Sequence, residues 1–167
     1  MSYQYAYIDS PLGKLKLVAD DAALVAILWE NDKPGRVPLG AMTEDREQPV
    51  LIETTRQLGE YFDGRRTRFE IALSFSGTAF QQQVWAALLT IPFGETRSYL
   101  DIARQIGNVR AVRAVGAANG RNPISIIAPC HRVVGASGQL TGFAGGLQAK
   151  RMLLALEAGG GLFDTAD

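Results

Sequence analysis

The apolar residues of this chain turn from a mainly strand-like to a mainly helical pattern at Ser74–Gly77. Before that point they read as strands around one helix. Tyr3–Ile8 suggests a strand, Lys14–Val18 alternates like a half-buried strand, Leu24–Trp29 follows it, and Phe69, Ile71 and Leu73 alternate as another. Beyond it they recur at helical spacing. A chain that switches pattern in this way cannot be one continuous sheet or one helical bundle. It predicts two parts, residues 1–76 and 77–167, the first a sheet with a helix and the second mainly helical. A chain of 167 residues, 47% of them hydrophobic, is long enough for two small cores.

Local signals fill in each part. Ser10-Pro11-Leu12-Gly13 marks a turn, and residues 31–49, polar and rich in Gly and Pro, read as loop. Leu51, Thr55, Leu58 and Phe62 predict a helix that stops at Gly64. Past the junction, Thr78 and Gln81 form a capping box for a helix carrying Phe80, Val84 and Leu88, with Trp85 beside them. Ile91–Gly94 breaks it. Ser98 caps a short helix, Tyr99–Ile106, which ends at Gly107-Asn108, and another helix runs from about Val109 to Gly120. Ser125–Ile127 reads as a short strand leading to Pro129-Cys130. Thr141–Gly146 is a glycine-rich loop, and Ala149, Met152, Leu153 and Leu156 mark the last helix.

Composition removes several classes. One cysteine, Cys130, excludes an intramolecular disulfide, and with one histidine it excludes a Cys/His zinc cluster. No metal site is expected. No apolar run approaches the roughly 20 residues of a membrane helix. Met1–Tyr5 shows no basic region followed by an apolar stretch, so the chain reads as a cytoplasmic protein without membrane contact. The net charge is zero, but residues 1–76 carry −3, residues 77–151 carry +6 and the tail carries −3. The basic stretch is either an ordinary solvated surface or a nucleic-acid face.

Two helices joined at Gly107-Asn108 form a helix-turn-helix pattern. The second helix places Ala111, Ala114, Val115 and Ala118 on its apolar stripe, with Arg113, Gly116, Ala117 and Gly120 alongside. Glycine inside a helix costs about 1 kcal/mol against alanine. Either tight helix packing or a closely seated DNA groove accounts for it. Such a face has little to read base edges with, so binding without sequence preference is expected over gene regulation.

The densest chemistry is in Asn122–Val134. The lone cysteine follows a proline and precedes the lone histidine and Arg132. It is either a buried structural residue or a nucleophile made thiolate-like by its basic neighbours. His131 and Glu157 are the expected cause of that activation. Neighbours along a strand face opposite ways, so a water bridge between Cys130 and His131 is expected.

Pro129-Cys130-His131-Arg132-Val133 resembles the active-site signature of the O6-alkylguanine-DNA alkyltransferases. The resemblance runs from about Phe80 to Glu157. It takes in Phe80–Trp85, Ile91-Pro92-Phe93-Gly94, Ser98-Tyr99, Arg113–Gly116, Asn119-Gly120, Asn122-Pro123, Gly145–Leu147 and Lys150. It implies an α/β chain: an N-terminal ribonuclease H-like sheet with a helix, then a winged-helix-like DNA-binding and catalytic domain. Cys130 would accept the alkyl group, His131 would act as base through water, and Glu157 would orient His131. Asn122 would shape the site, and Tyr99 would help flip the nucleotide. Arg113 would fill the vacated stack, with Gly116, Ala117, Gly120, Arg110 and Ser98 also at the DNA. Phe143, Ala144, Gly145 and Val133 would line the substrate pocket. The implied substrate is alkylated double-stranded DNA, bound through the minor groove by a monomer. O6-alkylguanine is repaired, O4-alkylthymine as a secondary target, each chain acts once, and no cofactor is required.

Phe143 stands where the family commonly has tyrosine, and Ala144 where some members have serine. Each removes a potential hydrogen bond to the substrate. Two other readings are a cysteine hydrolase, which would turn over, and a helix-turn-helix regulator, which would bind DNA without Cys130.

Overall fold

The computed structural model describes residues 2–159. Strands β1 (Tyr3–Ile8), β2 (Leu15–Ala19) and β3 (Leu24–Trp29) form an antiparallel meander, and β4 (Met42–Glu44) adds to β1 in parallel, giving the order β3-β2-β1-β4. The first three strands lie where the sequence reads as strand. Strand β4 falls in the stretch expected to be loop. Its three residues are too few to show a period, and the free edge of β1 supplies the pairing.

Helix α1 (Pro49–Phe62) lays Leu51, Thr54, Leu58 and Tyr61 on one face of the sheet. It starts with proline in its first turn, and Gly64 turns the chain away with a φ of +77°. The other face is covered by Val37, Leu39 and Met42, packed on Val18, Val25 and Ala26.

The outer edge of β3 is shared by two distant segments. Leu24 exchanges backbone hydrogen bonds with Ala72 and Ser74 at 2.9 and 3.0 Å, and Ile27 N–H donates to Pro123 at 2.9 Å. The strand expected over Phe69–Leu73 is therefore a strap with one bridge, at Leu73. The strand expected at Ser125–Ile127 is a turn. Ile124 makes one bridge to Ile27, and the chain then folds back, Ile127 N–H reaching Ser125 O at 2.9 Å. A β-branched run reads as a strand wherever it is buried. Here only one residue of it finds a partner.

The helical part comprises α2 (Ala79–Leu88), α3 (Tyr99–Gln105), α4 (Val112–Gly120) and α5 (Leu147–Glu157). Short strands β5 (Arg97–Ser98) and β6 (Val133–Val134) pair in parallel and tie the start of α3 to the segment after Cys130. Both α2 and α3 begin with capping boxes, Thr78 with Gln81 and Ser98 with Asp101. Gly107 ends α3 at a φ of +79°. Helix α4 begins three residues later than expected, leaving Arg110 in the preceding turn. Val84, Leu88, Ile102, Val115, Ala118 and Val133 form this core. Helix α5 instead packs Leu153 and Leu156 into the core that holds Leu58 and Tyr61, which joins the two parts. Residues 160–167, included in the expected second part, lie outside the described residues. Among the described residues no helix is long and apolar enough to cross a membrane.

Candidate active site

Cys130 opens a single 3-10 turn, Cys130–Arg132, entered through Pro129, with Cys130 N–H bonded to Ala128 O at 2.8 Å. This corrects the picture of a strand with alternating sides. Asn122 holds the approach: its Nδ2 donates to Ala128 O at 2.8 Å, and its Oδ1 accepts from Ile124 N–H at 3.1 Å. The amide thus pins both arms of the Ile124–Ala128 turn.

Cys130 is 3% exposed. Burial pushes its proton affinity up. The Asn122 side chain, the charges of Arg36 and Lys150 and the Ser125 hydroxyl pull it down without prevailing. The expectation that Cys130 is more thiolate-like than a free cysteine is therefore corrected. Sequence shows the basic neighbours of a cysteine but not how completely it is enclosed.

His131 and Glu157 meet, with Nε2 and Oε2 2.8 Å apart. Burial holds the imidazole below its ordinary value, against the pull of Glu157, so it rests neutral. Burial alone would raise Glu157, but hydrogen bonds from His131 and Arg132 outweigh it and hold the carboxyl at about 2. The ionised carboxylate assigns the imidazole proton to Nε2. Nδ1 keeps its lone pair and is buried without a protein partner among the described residues. A nitrogen in that state can accept a proton.

Several residues of the site were given no role by the sequence. Arg132 turns into the protein, donating to Glu157 at 2.7 and 2.9 Å and to Ile91 O at 2.5 Å. Tyr61, from α1, donates its hydroxyl to Glu157 Oε2 at 2.5 Å. Buried Lys150 donates to Val133 O at 2.7 Å and reaches Thr141. Arg36, held by Asp32, donates to Asn122 O at 2.8 Å and Gly120 O at 3.2 Å, at the carboxyl end of α4. Trp29 meets Phe143 edge to face, 5.4 Å between centroids. Of these, Tyr61 went unread in the sequence; a tyrosine one residue from Phe62 on the buried side of α1 carries a hydroxyl that needs a partner, and that is the signal that could have found it.

On α4, Arg113 and Ala117 are exposed, as is Gly120, and Gly116 is half-buried. Ala114 is exposed too, which corrects its place on the buried stripe. That stripe is Val115, Ala118 and Asn119. A methyl added at Gly116 would lie 3.9 Å from the Tyr99 ring, an ordinary contact, and one at Gly120 would meet nothing within 4 Å. Internal packing therefore does not require these glycines. Tyr99 bonds through its hydroxyl to Thr141, and Ser98 is occupied in capping α3. Arg110 is exposed. In the pocket loop, Phe143, Ala144 and Gly145 are half-buried. A methyl on Gly145 would come within 2.7 Å of the Trp29 ring. Val133 lies wholly in the helical core, its carbonyl taken by Lys150.

Residues 3–75 match the family model described as 6-O-methylguanine DNA methyltransferase, ribonuclease-like domain, and residues 79–159 match its DNA binding domain. The methylated-DNA–protein-cysteine methyltransferase of Mycolicibacterium paratuberculosis is 49% identical over 156 residues, 92% of each chain. That of Methanosarcina acetivorans is 47% identical over 153 residues, 92% of this chain and 97% of its own. The crystal structure of Mycobacterium tuberculosis OGT in complex with DNA superposes with a TM-score of 0.88 at 46% identity, covering 100% of both chains.

Proposed function

Because this chain belongs to the 6-O-methylguanine DNA methyltransferase family, and so repairs DNA by moving an alkyl group onto a protein cysteine, we propose that Cys130 is the acceptor and that its neighbours divide the remaining work. The observation that carries this is the juxtaposition of the one cysteine with a neutral histidine whose Nδ1 is free and whose Nε2 is bound to ionised Glu157.

The reaction is a displacement at carbon. Cys130 Sγ attacks the alkyl carbon, the carbon–O6 bond breaks, and its electron pair leaves with guanine. The thiol proton passes through water to His131 Nδ1, and the imidazolium gives a proton back through water to the departing guanine, so protein and base both end neutral. Glu157 stabilises the imidazolium while it exists, and stays ionised because Arg132 and Tyr61 also donate to it. The thioether has no route back to thiol, so each chain acts once. No step calls for a cofactor.

A base inside a duplex cannot reach a cysteine that is 3% exposed, so the damaged nucleotide is flipped out. Helix α4 suits the minor groove. Its exposed face is small apart from Arg113, which is the side chain to fill the gap in the stack. Two of the eight basic residues in 77–151, Arg132 and Lys150, are buried, which leaves a weak electrostatic footprint and fits binding without sequence preference. Tyr99 steers the nucleotide, and Phe143, Ala144 and Gly145 wall the base. Ser98 and Arg110 flank the groove. The protein acts as a monomer in the cytoplasm, and O4-alkylthymine is a secondary target.

The Cys130→Ala variant tests the division between binding and chemistry. It should bind an O6-methylguanine duplex as the wild type does and leave the methyl group in place. Loss of the methyl group from DNA incubated with the variant would remove Cys130 as the acceptor.

A further inference from the structure

Thr141 opens the glycine-rich loop, and the chemistry above leaves it unused. Its hydroxyl is bonded to the hydroxyl of Tyr99 and, at 3.3 Å, to Nζ of Lys150. Three distant segments meet at this one side chain: α3, the loop and α5. The fold brings them there. Pairing of β5 with β6 sets the start of α3 beside Val133-Val134, and Lys150 donates to Val133 O at 2.7 Å. The rest of the loop is held differently. Trp29, whose Nε1–H donates to Ser125 Oγ at 3.0 Å, is the wall on which Phe143 and Gly145 pack. Packing fixes that part of the loop to the sheet, and hydrogen bonds fix Thr141 to the helices.

The direction of these hydrogen bonds is constrained at both ends. Lys150 is wholly buried, and an ammonium only donates. Its acceptors among the described residues are the carbonyls of Val133 and Thr141 and the Thr141 hydroxyl, with no carboxylate among them. The Thr141 oxygen thus accepts from Lys150, and its own proton is left to give. At the other end stands the nucleotide that Tyr99 steers. Steering that serves any sequence acts on the part common to all nucleotides, the phosphate, whose anionic oxygens only accept. A tyrosine that donates to phosphate has no proton left for Thr141, so Thr141 must donate to it. One arrangement satisfies both ends: Lys150 donates to Thr141, Thr141 to Tyr99, and Tyr99 outward.

We propose that Thr141 is the positioning residue for Tyr99, its hydroxyl, anchored by Lys150, holding the phenol oxygen so that the phenol proton is presented to the phosphate of the flipping nucleotide. The Tyr99 ring lies against α4, where a methyl on Gly116 would be 3.9 Å away, so the held hydroxyl belongs to a ring between the groove helix and the pocket loop. Lys150 polarises the Thr141 hydroxyl and Thr141 polarises the phenol, so each donation strengthens the next. The donor is set before DNA arrives, and little ordering remains to be done as the nucleotide turns out.

The inference rests on Tyr99 steering the nucleotide and on Cys130 accepting the alkyl group, and the test keeps those readings apart from it. Single-turnover methyl transfer from saturating duplex carrying one O6-methylguanine is followed by intact mass, beside alkylation by free O6-benzylguanine. Thr141→Val keeps the shape of the side chain and removes the hydroxyl. It should slow the duplex reaction about tenfold more than the free-base reaction. Thr141→Ser, which keeps a hydroxyl, should restore the wild-type ratio. Tyr99→Phe should show the same selectivity with at least the same loss, and adding Thr141→Val to it should cost nothing further, because the two act in series. A duplex whose phosphates flanking the lesion are replaced by uncharged methylphosphonates should slow the wild type more than it slows Thr141→Val, which has already lost the contact. A Thr141→Val protein with wild-type rates, or with equal losses on duplex and free base, overturns the inference, as does an additive loss in the double variant. Equal sensitivity of wild type and Thr141→Val to the methylphosphonates overturns the phosphate as the target. A Tyr99→Phe ratio equal to wild type overturns instead the steering by Tyr99, and wild-type protein that gains no adduct at Cys130 overturns the acceptor reading.

Discussion

His131 Nε2 lies 2.8 Å from Glu157 Oε2, and both side chains are closed to solvent. The same carboxylate accepts from Arg132 on both oxygens and from Tyr61. One side chain at the end of α5 thereby joins the reactive turn to α1 in the sheet half. In the mechanism proposed above, activation of the base and cohesion of the two halves depend on the same group.

Glu157→Gln should therefore damage both. It leaves the buried Arg132 guanidinium without its counter-charge, a change that typically costs about 3–5 kcal/mol. The midpoint of urea unfolding should fall accordingly, and alkylation of the remaining folded protein should slow. A variant with wild-type stability would mean that Arg132 finds its compensation elsewhere.

Acid should act through two groups in this network. The histidine is held below its ordinary 6.5 in the folded protein, so the unfolded chain binds that proton first. Its contribution to stability is complete above pH 6.5 and declines as pH falls through the folded value. Glu157, held at about 2 against 4.5, contributes above pH 4.5 and is lost as pH falls toward 2. That contribution is of the order of 3 kcal/mol. Melting temperature should thus fall in two stages on acidification. His131→Gln should remove the first stage and leave the second. A flat melting curve between neutral pH and pH 4.5 would contradict the neutral buried imidazole.

Gly116→Ala should stabilise the protein and weaken its grip on DNA. The added methyl meets only the Tyr99 ring, at 3.9 Å, and alanine gains up to about 1 kcal/mol of helix preference. The cost falls where the groove must approach. Thermal melting and duplex binding, measured on the same variant, should move in opposite directions. Unchanged DNA affinity would take Gly116 out of the interface.

Arg113→Ala should slow repair of an O6-methylguanine duplex far more than reaction with free O6-benzylguanine. The free base needs no flipping, and Arg113 is exposed on α4, away from the buried Cys130 network. Equal losses on both substrates would make its role one of folding or chemistry.

Much of the framework is legible from local signals. The strand at Tyr3–Ile8, the capping box at Thr78 and the stop at Gly64 each depend on a few adjacent residues, and each appears as expected. What sequence conceals is non-local. Strand β4 exists because β1 offers an edge, and the turn at Ser125–Ile127 exists because Asn122 and β3 hold its ends. Tyr61 and Glu157 are separated by 96 residues, as are Trp29 and Ser125, so no spacing rule connects them. The resting state of Cys130 was missed for the same reason: its enclosure is assembled from the whole chain. His131 and Glu157 could be named from their residue types and the family resemblance, but their contact had to be seen.

The most direct measurement is the intact mass of the protein after incubation with a duplex carrying one O6-methylguanine, followed by peptide mapping. The account predicts one added methyl group per chain, located on Cys130, with the duplex returned to unmodified guanine and no second turnover in excess substrate. An unmodified protein alongside repaired DNA, or a methyl group on any other residue, would contradict it.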